Sequence, residues 1–131
     1  MTTQLHALTP AIVQGFENGI GSFFTISLSP EKAEPYRLWI YMCEWAFLVE
    51  ETEFARDDVD GIGQSLDLTK LLGARLERID RLDDGLEYHF HFSGGFRLEI
   101  WSRDTAYESD RALFTIVRKS GDSFSVPRDV E

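Results

Sequence analysis

The sequence predicts an α+β domain built mainly from antiparallel β-sheet, roughly six to eight strands with one short helix. Three observations lead there. Apolar and polar residues alternate with period two through Leu86 to Phe92 and again through Phe96 to Trp101, the pattern of half-buried strands. Turn-forming clusters bound those runs, Asp83-Asp84-Gly85 before the first and Ser93-Gly94-Gly95 between the two, and Asp-Gly is a strong hairpin signal. Aromatic residues, which suit a pleated half-buried surface, concentrate in the same segments.

The elements follow in chain order. Ala11 to Phe16, after Pro10, reads as a strand or one helical turn, and Glu17-Asn18-Gly19-Ile20-Gly21 supplies turn residues. In Ser22 to Ser29, Phe23, Thr25 and Ser27 alternate with Phe24, Ile26 and Leu28, a half-buried strand. Pro30 and Pro35 bracket Glu31, Lys32 and Glu34, a solvated connection. Tyr36 to Val49 is apolar on both parities, which suits a central strand covered on both faces or two shorter strands meeting near Glu44. Trp39 and Trp45 fall in that run, and with Trp101 they are expected as core aromatics. Glu50 to Asp60 is the most acidic stretch. In Ile62 to Leu72, Ile62, Leu66, Leu68, Leu71 and Leu72 approximate a helical stripe, with Gly73 at the C-terminal cap. Leu76, Ile79 and Leu82 are ambiguous in period. Beyond the Leu86 to Trp101 hairpin, Arg103 to Asp110 is a polar connection, Ala112 to Lys119 a strand, Ser120-Gly121-Asp122 a turn, and Ser123 to Val126 a last short strand.

The chain has 131 residues, of which 43% are apolar. That is enough to bury a core of its own, and no linker, low-complexity segment or exact repeat divides it, so residues 1–131 are read as one domain. Thirteen Lys and Arg against 23 Asp and Glu leave a net charge of −10. Such a charge repels nucleic-acid phosphates and anionic lipid, and it steers basic surfaces inward. The expectation is therefore no direct nucleic-acid binding. No apolar run approaches the roughly 20 residues of a membrane span, Met1 to Leu8 has no Lys or Arg, and Cys43 is alone. No membrane association and a cytoplasmic location are expected.

Catalytic patterns are sparse. Cys43 lies in the most apolar run, where a thiol is an inert small hydrophobe. No Gly-x-Ser-x-Gly elbow is present, and Gly19-Ile20-Gly21-Ser22 leads into a strand with no following Lys, unlike a phosphate loop. Asp83/Asp84 and Asp57/Asp58 are explained by turn chemistry. The expectation is a protein that is not an enzyme, with no catalytic residue, no cofactor and no metal. The alternative is a metal-binding module or metal-dependent enzyme on the His89/His91 strand face. Residues two apart on a strand share a face, so Glu87, His89 and His91 line up, and Glu99 can lie across the hairpin. The competing reading makes that row the solvated face of a strand. Six carboxylates, Glu50, Glu51, Glu53, Asp57, Asp58 and Asp60, crowd eleven residues with Phe54 and Val59 as apolar anchors. That stretch is the candidate contact surface for a basic protein partner.

Several motifs occur in a telling order: Gly19-x-Gly21-Ser22-Phe23-Phe24, Leu38-Trp39-Ile40, Trp45, Leu71-Leu72-Gly73 and Phe92-x-Gly94-Gly95-x-x-Leu98-x-Ile100. Over Gly15 to Trp101 this order resembles the small immunity-type domains encoded beside bacterial polymorphic toxins. The resemblance implies a non-catalytic protein that binds a cognate toxin in the producing cell's cytoplasm and occludes its active site. A toxin such as a nuclease, deaminase or other nucleotide-directed enzyme has a basic cleft that an acidic domain fits. A third reading is an adaptor that binds through an exposed strand edge.

Overall fold

Among the described residues, backbone pairing joins ten strands into one antiparallel sheet. The computed structural model describes residues 8–18, 24–31, 33–40, 44–56, 69–82, 87–101 and 114–126. The strands are β1 (Ala11–Asn18), β2 (Phe24–Pro30), β3 (Tyr36–Ile40), β4 (Glu44–Val49), β5 (Thr52–Arg56), β6 (Arg75–Leu82), β7 (Glu87–Phe92), β8 (Phe96–Trp101), β9 (Phe114–Arg118) and β10 (Ser123–Val126). Their order across the sheet is β10-β9-β3-β2-β1-β6-β7-β8-β4-β5. No helix among the described residues is long and apolar enough to cross a membrane.

The mainly antiparallel architecture matches the sequence, but six to eight strands with one helix does not. Tyr36 to Val49 is two strands that are not neighbours, β3 lying between β2 and β9 and β4 between β8 and β5. Of these two, only β4 is buried on both faces, through Trp45, Ala46 and Phe47. On β3, Tyr36, Leu38 and Ile40 point inward while Arg37 and Trp39 face out, leaving Trp39 44% exposed and outside the core. An edge strand needs backbone pairing and not apolar alternation, so β5 forms inside the acidic stretch. The described residues hold no α-helix. Of Ile62 to Leu72, residues 62–68 lie outside the described set and Thr69–Leu71 is a single 3-10 turn with Leu71 buried. Gly73 adopts the positive φ of 85° expected of a cap, yet its N–H donates to the Val13 carbonyl at 2.9 Å. It turns the chain into β6, and among the described residues the only helical turn that precedes it is the Thr69–Leu71 3-10 turn.

The strand order hides a repeat. Exchanging β1–β5 with β6–β10 one for one reproduces the same order reversed. In each unit a three-stranded meander is followed by a hairpin that pairs with the other unit's meander, β4 on β8 and β9 on β3. The register agrees. Phe24 and Ile26 pair with Ile40 and Leu38 as Tyr88 and Phe90 pair with Ile100 and Leu98. Both first strands carry a bulge at the equivalent place, between Val13 and Gly15 opposite Leu28 and between Leu76 and Arg78 opposite Phe92. The pairing of Ile12 with Arg75 lies at the pseudo-twofold axis. In sequence the repeat surfaces most clearly as Tyr36-Arg37-Leu38-Trp39-Ile40 against Phe96-Arg97-Leu98-Glu99-Ile100.

The same symmetry closes the core. Phe24 on β2 meets Trp45 on β4 edge-to-face at 4.8 Å, and Tyr88 on β7 meets Phe114 on β9 in the same way at 5.2 Å. In each case the partners stand five positions apart in the sheet, a separation of about 24 Å were the sheet flat. The sheet therefore bends back on itself, and one apolar face becomes the interior. Phe47, Phe90, Ile116 and Leu76 fill the space between, each almost fully buried. Edge-to-face rings add to the area they bury. Phe114 also contacts Phe90 at 5.2 Å, so Phe114→Ala is expected to cost about 3–5 kcal/mol in urea denaturation. Trp39→Ala, on the outer face, should cost less than half of that.

Candidate functional site

Alternation fixes what remains for chemistry. Because Tyr88, Phe90, Phe92, Leu98 and Ile100 face inward, their neighbours on β7 and β8 must face outward. Strand register then aligns these outward residues in rows. One row runs Asp80, His89, Glu99, Ala46, and the next Arg78, His91, Arg97, Leu48. A third runs Leu82, Glu87, Trp101, Glu44, in which the Trp101 Nε1–H donates to Glu44 Oε1 at 2.9 Å. Trp101 is thus an outer-face residue and not a core aromatic.

Of the four residues singled out as metal ligands, the fold brings three together. His89 Nε2 lies 2.6 Å from Glu87 Oε2 and 3.9 Å from Glu99 Oε2. His91 turns away toward β6, its Nε2 2.9 Å from Asp80 Oδ2. That approach lies off the ring's N–H direction and makes no hydrogen bond of good geometry, so it acts as a charge contact only when the ring is protonated. Burial holds the His91 imidazole below its usual range, Arg78 adds repulsion, and Asp80 opposes both.

Arg97 is the residue that sequence reasoning missed. Its Nε donates to Glu99 at 2.8 Å, and its two terminal nitrogens donate to the two oxygens of Glu51 at 2.6 and 3.0 Å. The Glu51 hydrogen bonds, then those to Glu99, push the guanidinium further above an already high range. Hydrogen bonding from Arg97, reinforced by its charge, holds the Glu51 carboxyl below the usual range. The signal was present in the hairpin, because Arg97 and Glu99 share the outward parity of the residues that pair with His91 and His89.

The acidic candidates divide. Glu50, Glu51 and Glu53 sit together, exposed, at the β4–β5 hairpin, while Asp57, Asp58 and Asp60 lie outside the described residues, as does Cys43. Val49 pairs with Thr52, so Glu50 and Glu51 form a two-residue turn, with φ of 50° and 71°. Positive φ at both positions is the type I′ signature, for which Asn-Gly is the favoured pair. Glutamate in this region costs on the order of 1–3 kcal/mol. Two contacts hold the turn: the Arg97 fork on Glu51, and the Glu50 N–H donating to the Gly95 carbonyl at 2.9 Å. Gly95 sits at φ 82°, where an L side chain is strained, and an added Cβ would also stand 3.0 Å from Glu50 Cγ.

Comparison with known protein families, with characterised proteins and with solved structures finds no match to this chain.

Glu50→Asn should stabilise the protein by about 0.5–1 kcal/mol by easing the left-handed backbone, whereas Gly95→Ala should destabilise it by about 1–3 kcal/mol. Paired urea melts check both signs. The depressed Glu51 carboxyl adds stability that is present above its ordinary value near 4.5 and is lost as acid titrates it in the folded state. Glu51→Gln should therefore be the less stable protein at neutral pH, with a shallower loss of stability on acidification below about pH 4.5.

Proposed function

We propose that this chain is a non-catalytic immunity protein, which binds a cognate bacterial toxin in the cytoplasm of the producing cell and neutralises it by occluding a basic active site. The observation that carries this reading is the acidic tip of the β4–β5 hairpin. Two adjacent glutamates occupy a turn that their own backbone disfavours, and they are anchored there by Arg97 and Gly95. Backbone strain of this kind clusters at active sites, ligand clamps and switch regions. The anchoring also holds the Glu50–Glu51 turn in place before any partner arrives, which lowers the ordering cost of binding. A net charge of −10 accelerates encounter with a basic cleft, and the order of turn and hairpin motifs along the chain supports the toxin-pair context.

The test begins with co-expression of the tagged chain with the proteins encoded beside its gene. A stoichiometric partner that is toxic alone and harmless in the complex is expected. Against that partner, Glu50→Lys/Glu53→Lys should slow association by at least about tenfold at low salt, with the gap narrowing as salt rises. Full association rate in this variant would displace the interface from the tip. The lack of any toxic neighbour would overturn the immunity reading itself.

A further inference from the structure

The pseudo-twofold repeat supplies an internal comparison for the outer face. Positions that face the core are matched between the two halves: Phe24 with Tyr88, Ile26 with Phe90, Leu38 with Leu98 and Ile40 with Ile100. Arg97 has a counterpart in Arg37. His89 and Glu99 do not, because the equivalent cross-strand pair is Thr25 with Trp39. The scaffold therefore does not demand an imidazole facing a carboxylate at this place. At the His89–Glu99 pair, one half carries metal-ligand side chains on a backbone that the other half builds with Thr25 and Trp39.

That set has the composition and spacing of a ligand cluster. One oxygen of Glu87, one imidazole nitrogen of His89 and one oxygen of Glu99 lie within 4.8 Å of one another. A first-row divalent ion with bonds of about 2.0–2.2 Å holds donors about 3–3.6 Å apart, so rotation of the two glutamate side chains closes the difference. The three side chains are 20–34% exposed, protected from bulk water yet open on one side. Glu99 is already oriented by the Arg97 Nε–H, as metal-bound carboxylates are by their own hydrogen-bond partners. Arg97 does not repel the ion overall. Three carboxyl groups, those of Glu51, Glu87 and Glu99, surround that one guanidinium and the imidazole.

We propose that Glu87, His89 and Glu99 bind a divalent transition-metal ion with the preferences of zinc, three protein ligands leaving at least one coordination position for water. His91, turned toward Asp80, is not a ligand. The site does not rest on the toxin-binding reading, since its donors belong to β7 and β8 and the acidic tip to β4–β5.

Titration of chelator-stripped protein with Zn2+ by isothermal calorimetry tests it, with Mg2+ as the control ion. One site per chain with submicromolar affinity is expected, and Mg2+ should bind far more weakly. His89→Thr installs the residue that the other half carries at this position, so the fold should be kept while Zn2+ affinity falls by at least about 100-fold. His91→Ser, likewise matched to Ser27, should change affinity by less than about threefold. Circular dichroism on both variants confirms folding. No saturable Zn2+ binding below millimolar concentration would overturn the proposal, and so would a site that survives His89→Thr.

Discussion

Everything in this molecule depends on the sheet turning its apolar face onto itself. A single antiparallel sheet with one apolar face has nothing to bury it against, and no α-helix among the described residues covers it. The solution is curvature that brings β2 against β4 and β7 against β9 across the β1–β6 junction, where Ala11 pairs with Leu76 and Ile12 with Arg75. Two equivalent aromatic contacts then lock the halves together, Phe24 on Trp45 and Tyr88 on Phe114. The exchange of hairpins reinforces the closure. Because β4 and β9 each extend the other unit's meander, neither unit can separate without breaking a strand pairing in both. Bulges at equivalent positions in β1 and β6 add local twist where the sheet must curve.

Once the inner face has secured the fold, the outer face is free to diverge, and the two halves diverge there. One exposes Thr25, Ser27, Arg37 and Trp39, and the other carries Asp80, Glu87, His89, His91, Arg97 and Glu99. Arg97 joins two features of the outer face, since the same guanidinium holds Glu99 of the proposed metal site and Glu51 of the acidic tip. A partner that captured Glu51 would release one side of Arg97 and alter how tightly Glu99 is held. Tip and cluster are thus physically connected through one side chain, although each stands on its own observations.

The local features were legible in the sequence to the extent that they depend on alternation and turn chemistry. The β7–β8 hairpin follows from period two and from Gly94 and Gly95, both at positive φ. The face shared by Glu87, His89 and Glu99 follows from the same alternation. What could not be read locally was pairing between distant strands. Apolar residues on both parities of Tyr36 to Val49 admit one central strand or two shorter strands meeting near Glu44; the run is two, with β4 beginning at Glu44, but local pattern says nothing of their serving opposite halves of the sheet or of the exposure of Trp39. The β4–β5 turn was hidden because Glu-Glu carries no I′ signal, and what stabilises it is Arg97, 46 residues away. His91 was grouped with the other ligands by parity alone, and only β6, with Asp80 on the far side, draws it off. The repeat escaped because it is written in core-facing positions, with outer residues and loop lengths free to differ.

Under the proposed immunity function, the β4–β5 tip, and not the outer face of β3 and β9, is the surface that meets a toxin. Amide hydrogen exchange of the chain alone and in complex with a toxic protein recovered from the neighbouring genes tests this most directly. Added protection over Val49 to Glu53 and the Gly95 turn, with Arg37 to Ile40 unchanged, is the predicted result. Protection centred on the Trp39 face, with the acidic tip still exchanging as in the free protein, would contradict it.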